Sequence, residues 1–188
     1  MIMKLLQAAI LVAGGLALGG CPMQQQAKTA APAKKPPAAD YQAPGSGNPP
    51  AAAAIRGICY DASEMTTYNN RMLHQQLNVA VLQCQNPDGS RAFVSLYNAY
   101  AEKFRGEIVS NGSSMTSLAR AKRFNLDSVV TEFANRTAQR VTTDKAEFCT
   151  RFQRALEWAN SPQVTSLSQV PPVYDLGPEM NVYPCPAR

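Results

Sequence analysis

The stretch from Asp61 to Cys84 constrains the fold more than any other part of this chain. Asp61, with Glu64 three residues on, makes a capping-box start. Met65, Tyr68, Met72, Leu73, Leu77, Ala80, Val81 and Cys84 then recur at helical spacing. These positions cover more than half of the helix circumference, whereas a surface helix carries one apolar stripe. Such a helix has to be enclosed by others, and the pattern predicts it as the centre of a bundle. Asn86-Pro87-Asp88-Gly89 then breaks the chain, and Ser90 is a candidate cap for the next helix.

Phe93, Tyr97, Tyr100, Phe104 and Ile108 predict a second helix that stops at Asn111-Gly112, where glycine suits a left-handed C-terminal position. A shorter third helix is expected from Ser113 or Ser114, with Met115, Leu118 and Ala121 inward, up to Asn125. A fourth, capped by Asp127, presents Val129, Val130, Phe133, Ala134, Ala138 and Val141. A fifth starts at Asp144, again with a glutamate (Glu147) three residues on, and presents Phe148, Cys149, Phe152, Leu156 and Ala159. Asn160-Ser161-Pro162 ends it, because proline cannot continue a helix.

Beyond that point Pro162, Pro171, Pro172, Pro178, Pro184 and Pro186 rule out regular helix, yet Val173, Tyr174, Leu176, Val182 and Tyr183 are too apolar for a free tail. No alternation long enough for a strand is visible. The expected fold is all-α: a small disulfide-linked bundle of about four to five helices over residues 55–188, with a Pro-rich C-terminal strap.

The chain before the bundle has a different character. From Pro22 to Ala54 it is built of Ala, Pro, Gln, Lys and Gly, with Tyr41 its only aromatic. Such a composition buries too little apolar surface to offset chain entropy, so a disordered tether, dispensable for folding, is expected. Before it, Lys4, the apolar run Leu6 to Leu18 and Gly19-Gly20 have the parts of a secretory signal. The run is short of the roughly 20 residues that span a bilayer.

Leu18-Gly19-Gly20-Cys21 resembles the lipobox of bacterial lipoproteins. The resemblance implies that residues 1–20 are removed, that Cys21 is acylated as the mature N-terminus, and that the lipid makes the membrane a partner. In lipoproteins an Asp after the acylated cysteine retains the protein in the inner membrane. Here Pro22 and Met23 follow, which implies the periplasmic face of the outer membrane. The chain then divides into a signal (1–20), a lipidated cysteine with its tether (21–54) and a helical periplasmic domain (55–188).

With Cys21 assigned to the lipid, Cys59, Cys84, Cys149 and Cys185 form an even set in an oxidising compartment, the condition for disulfides. No CxxC spacing occurs and His74 is the only histidine, so no metal is expected. Four cysteines allow three connectivities. Cys84 closes the first helix and Cys149 opens the fifth, while Cys59 and Cys185 flank the bundle. The nested pattern, Cys84–Cys149 with Cys59–Cys185, is preferred, and the other two stay open.

From Ile55 onward 14 Lys and Arg face 12 Asp and Glu, a balance too mild for nucleic-acid binding. A serine or cysteine nucleophile needs a base, and His74 falls on the helix side of Asn70 and Asn78, where an exposed, idle role is expected. Glu102 and Glu107 mingle with Lys103 and Arg105 as solvated surface. No phosphate loop is present. Neither catalysis nor a cofactor is expected. Arg120, Lys122 and Arg123, with Arg136 and Arg140 at helical spacing nearby, are a candidate basic patch, to be weighed against a plain solvated face.

The segments Leu77–Cys84, Tyr97–Tyr100, Lys103–Arg105 and Glu147–Cys149 are similar to those of a set of small helical proteins exported by alphaproteobacteria. That resemblance implies a helical fold with the Cys84 and Cys149 positions paired, and it brings no function with it. The expectation is therefore a lipid-anchored interaction or structural module of the cell envelope, with an envelope protein as partner. The alternative is a small-molecule or lipid carrier whose pocket lies between the helices and the strap.

Overall fold

The computed structural model describes residues 40–44 and 59–185. The signal segment, Cys21, residues 22–39 and 45–58 and the last three residues lie outside the described part. In chain order the elements are β1 (Cys59–Tyr60), α1 (Ala62–Gln83), α2 (Val94–Lys103), α3 (Arg105–Lys122), α4 (Leu126–Val141), α5 (Lys145–Asn160) and β2 (Tyr183–Pro184), with single 3-10 turns at Leu167–Gln169 and Pro178–Met180. Among the described residues the domain is all-α apart from an isolated antiparallel bridge between Gln85 and Arg91 and one parallel pairing of its two ends, which sets Cys59 against Tyr183 and Tyr60 against Pro184.

The capping box at α1 is formed. Asp61 Oδ1 accepts from the Ser63 and Glu64 amides, and Glu64 Oε2 accepts from the Asp61 amide at 2.9 Å. These bonds hold the Asp61 carboxyl below its usual range, the Glu64 amide being the largest cause. α1 packs against α2, α3, α4 and α5, the enclosure that its wide apolar arc requires. Its N-terminal half meets Phe133, Met115 and Leu118 through Tyr68 and Met72, and its C-terminal half meets Phe104, Phe148 and Phe152 through Leu73 and Leu77. The strap serves both halves of the core: Val164, Leu167, Val170 and Val173 close one, and Leu176 and Val182 the other.

The helix break falls elsewhere than at Asn111-Gly112. α2 ends at Phe104, which leaves helical geometry (φ −108, ψ 17) to place its ring in the core, and α3 runs through Gly112 to a left-handed Arg123 (φ 59). Asn111 is buried and donates to the Thr67 carbonyl at 2.8 Å, tying α3 to α1. That tertiary bond outweighs the propensity cost of the glycine, about 1 kcal/mol. α4 is capped by Asn125, whose side chain accepts from the Ser128 amide at 2.9 Å. Asp127 sits in the first turn instead, where its charge suits the positive helix end. Ser90 caps no helix: its amide and hydroxyl bond Asp88 within the turn, at 2.9 and 2.6 Å. Asp144 caps α5 as its position predicts.

The expectation of an unattached tether fails at Asp40–Pro44. This arm lies on the domain with Tyr41 in the core at 1% exposure. The physical reason is that five residues with one aromatic ring find a ready-made site, described next.

Candidate interaction surface

The arm, α5 and the strap meet on one face. The strap runs beside α5 because Gln76 of α1, fully buried, holds its backbone: Gln76 Oε1 accepts from the Val173 amide (3.0 Å) and the Tyr174 amide (3.3 Å), and Nε2 donates to the Tyr174 carbonyl (2.7 Å). Pro171 and Pro172 have no N–H, so the strap offers carbonyls and few donors here. The arm takes them up. Tyr41 Oη donates to the Pro171 carbonyl at 3.0 Å, and the Ala43 amide donates to the Val173 carbonyl at 2.9 Å. From α5, Arg151 Nη1 donates to the Tyr41 and Gln42 carbonyls, both at 3.1 Å, and Arg154 pairs with Asp40. Burial pushes the Tyr41 phenol far above its ordinary range.

Beside Ala43 and Pro44 the described residues Arg140, Asp144, Glu147, Phe148, Arg151 and Tyr174 line a space of about 210 Å3. Tyr174 stacks on Phe148 at 6.1 Å, and Arg140 lies over its outer face at 5.7 Å.

The five cations of the candidate basic patch do not form one surface. Lys122 turns to the chain ends, pairing with Glu64 at 2.8 Å, donating to the Cys59 carbonyl at 2.8 Å and covering the Tyr60 ring. Arg136 and Arg140 both pair with Glu179 of the strap, and Arg136 also with Glu132. Only Arg120 and Arg123 point to solvent. Carboxylates from the strap and from α1 were invisible to a count along the helices.

The residues expected as solvated surface on α2 and α3 also have structural partners. Lys103 Nζ donates to the Ala159 and Ser161 carbonyls (2.7 and 2.8 Å) and so closes the C-terminus of α5. Glu107 accepts from the Leu167 amide and the Ser166 hydroxyl, both at 2.9 Å, and so fixes the strap's first turn. Glu102 and Arg105 pair with one another on the surface.

His74 is half-buried rather than exposed. The side it shares with Asn78 is covered by α2, where Tyr100 stacks on the imidazole and Tyr97 bonds Asn78. Burial, with Arg71 beside it, lowers the His74 pKa to about 4. A groove of about 430 Å3 passes its outer edge between Ala101, Arg105, Ile108 and Val109.

Both disulfides of the nested pattern are present, Cys84–Cys149 and Cys59–Cys185. The first staples the end of α1 to the start of α5, and the second joins the two irregular ends beside the β1–β2 pairing. Among the described residues no group of three His, Cys, Asp or Glu is placed to hold a metal, and no helix is long and apolar enough to cross a membrane. The chain matches no family model, no curated protein and no solved structure.

Proposed function

We propose that this protein is a non-enzymatic interaction or structural module of the bacterial cell envelope, anchored through an acylated Cys21 to the periplasmic face of the outer membrane and engaging another envelope protein. The observation that carries the reading is the build of the described chain: two cross-links, a strap and a docked arm hold a filled core, and the spaces of about 430 and 450 Å3 beside it are surface grooves. A carrier calls for an enclosed apolar cavity of ligand size. Val173, Leu176 and Val182 fill the space between the strap and the helices instead, which weighs against that alternative.

Affinity purification of the mature, membrane-anchored protein after crosslinking tests the reading. A reproducible envelope partner that is lost when the domain alone is replaced supports it. Recovery of a bound lipid or metabolite in stoichiometric amount would replace it with the carrier. Cys21→Ser tests the anchor separately: the variant should leave the membrane fraction or accumulate uncleaved, and a processed form still in the membrane refutes the lipid.

A further inference from the structure

We propose that the groove between α5 and the strap is a recognition site for a short segment of a partner protein in which a carboxylate directly precedes a tyrosine, and that Asp40–Pro44 is its resident competitor. The inference rests on the reading of the domain as an interaction module and gives the chemistry of its partner.

The groove holds the arm in the manner of a peptide-binding site. Arg151 bonds two consecutive carbonyls, and the Val173 carbonyl receives one amide. These contacts go to main-chain groups of the arm, which turns at Asp40 and Tyr41, and belong to no particular side chain. Specificity comes from two neighbouring positions: a pocket that takes the whole Tyr41 ring and ties its hydroxyl to Pro171, and Arg154, which takes the carboxylate of Asp40. Main-chain bonds for affinity and side-chain pockets for selectivity are the general logic of extended-peptide recognition. Pro171 and Pro172 keep the strap's own amides out of the exchange, so its carbonyls stay turned toward a visitor.

Recognition does not need the covalent link. Every described contact lies within five residues, and 14 residues separate Pro44 from Cys59. Ordering a short segment offsets much of what its contacts gain, so the arm is displaceable. The space beside Pro44, lined among the described residues by Arg140, Phe148 and Tyr174, is of a size for one or two further side chains of a longer partner segment.

The test uses the whole mature chain from residue 21, with both disulfides and with Cys21→Ser, so its result is independent of acylation. A fluorescent peptide of residues 38–44, Ala-Ala-Asp-Tyr-Gln-Ala-Pro, is titrated by anisotropy into this chain and into the same chain carrying Tyr41→Ala. The expected result is binding at least tenfold tighter to Tyr41→Ala, because the cis arm no longer competes. Adding Arg154→Ala should weaken that binding about threefold or more, and a peptide with alanine for tyrosine should not bind.

Equal binding to both chains, or none to a folded Tyr41→Ala chain up to millimolar peptide, overturns the proposal. Should Tyr41→Ala fail to fold, a protease site placed within residues 46–52 decides. After cleavage the N-terminal fragment should leave the domain on dilution and be displaced by excess peptide. A fragment retained through both treatments is a fixed part of the core and overturns the proposal equally.

Discussion

Tyr41 and Phe152 are both buried to within 1% of full coverage, yet their replacement by alanine is expected to cost very different amounts. Phe152 sits on α5 and cannot leave the core without unfolding it, so Phe152→Ala creates a cavity and costs about 3–5 kcal/mol. Tyr41 sits on an arm that can detach. Burying a tyrosine removes about 150–250 Å2 from water, roughly 4–6 kcal/mol at about 25 cal/mol per Å2. The bonds of Tyr41 Oη, the Ala43 amide and Arg151 add about 3 kcal/mol. Ordering the five residues of the arm costs about 7 kcal/mol, which leaves a docking free energy of at most about 2 kcal/mol. Tyr41→Ala can cost no more than that, because once the arm is off nothing further is lost. Urea denaturation of the mature chain measures both variants, with hydrogen exchange at the Ala43 amide as a local probe. A Tyr41→Ala cost equal to that of Phe152→Ala refutes the detachable arm. No cost, together with free exchange of Ala43 in the unmutated chain, refutes its docking.

Three further outcomes follow from other contacts. Gln76→Leu leaves the Val173 and Tyr174 amides and the Tyr174 carbonyl without their partner, so it should cost about 2–4 kcal/mol in denaturant and raise exchange along the strap. Under graded reductant with alkylation and mass spectrometry, Cys59–Cys185 should open before Cys84–Cys149, since Cys185 is exposed and Cys84 buried. Loss of each is expected to cost up to about 4–5 kcal/mol, from loops of 126 and 65 residues. His74 is held neutral in the fold, with a pKa of about 4, whereas the unfolded chain protonates it near 6.5. Its contribution is therefore present in full above about pH 6.5 and lost as the pH falls toward 4. The loss is on the order of 2 kcal/mol once its partial exposure is allowed for, and His74→Gln should flatten the dependence of the urea midpoint between pH 7 and 4.5.

What was legible in the sequence is what local chemistry decides. Asp61 with Glu64, and Asp144 ahead of α5, are caps whose partners lie within three residues, and both are formed as their spacing predicts. The central place of α1 was equally plain from the width of its apolar arc. The local departures are small, the α4 cap at Asn125 in place of Asp127 and the Ser90–Asp88 turn; the larger ones involve a polar residue whose partner is distant in sequence. Asn111 looked like a helix stop because its bond to Thr67 crosses between helices. Gln76 was passed over although Met72, Leu73, Leu77 and Ala80 surround it on the apolar arc, a position where a glutamine has to bond something. Arg136 and Arg140 looked like open charge because Glu179 comes from the strap.

The arm is the sharpest case of the same limit. Composition marks Pro22–Ala54 as unable to build a core of its own, but it is silent on whether a few of its residues complete a core built elsewhere. Tyr41 was the available signal: a single aromatic in a segment of Ala, Pro, Gln and Lys has no local reason to be there. Its site consists of carbonyls freed by two prolines and of two arginines one helical turn apart on α5, none of which is notable in isolation. A docked arm also changes what the tether does. Between Cys21 and Asp40 the chain can extend about 59 Å at roughly 3.1 Å per residue, against about 118 Å to Cys59 if the arm were free. Under the proposed anchoring, whatever occupies the α5–strap groove therefore sets how far from the membrane the domain can act, and a partner that displaces the arm doubles that reach in the act of binding.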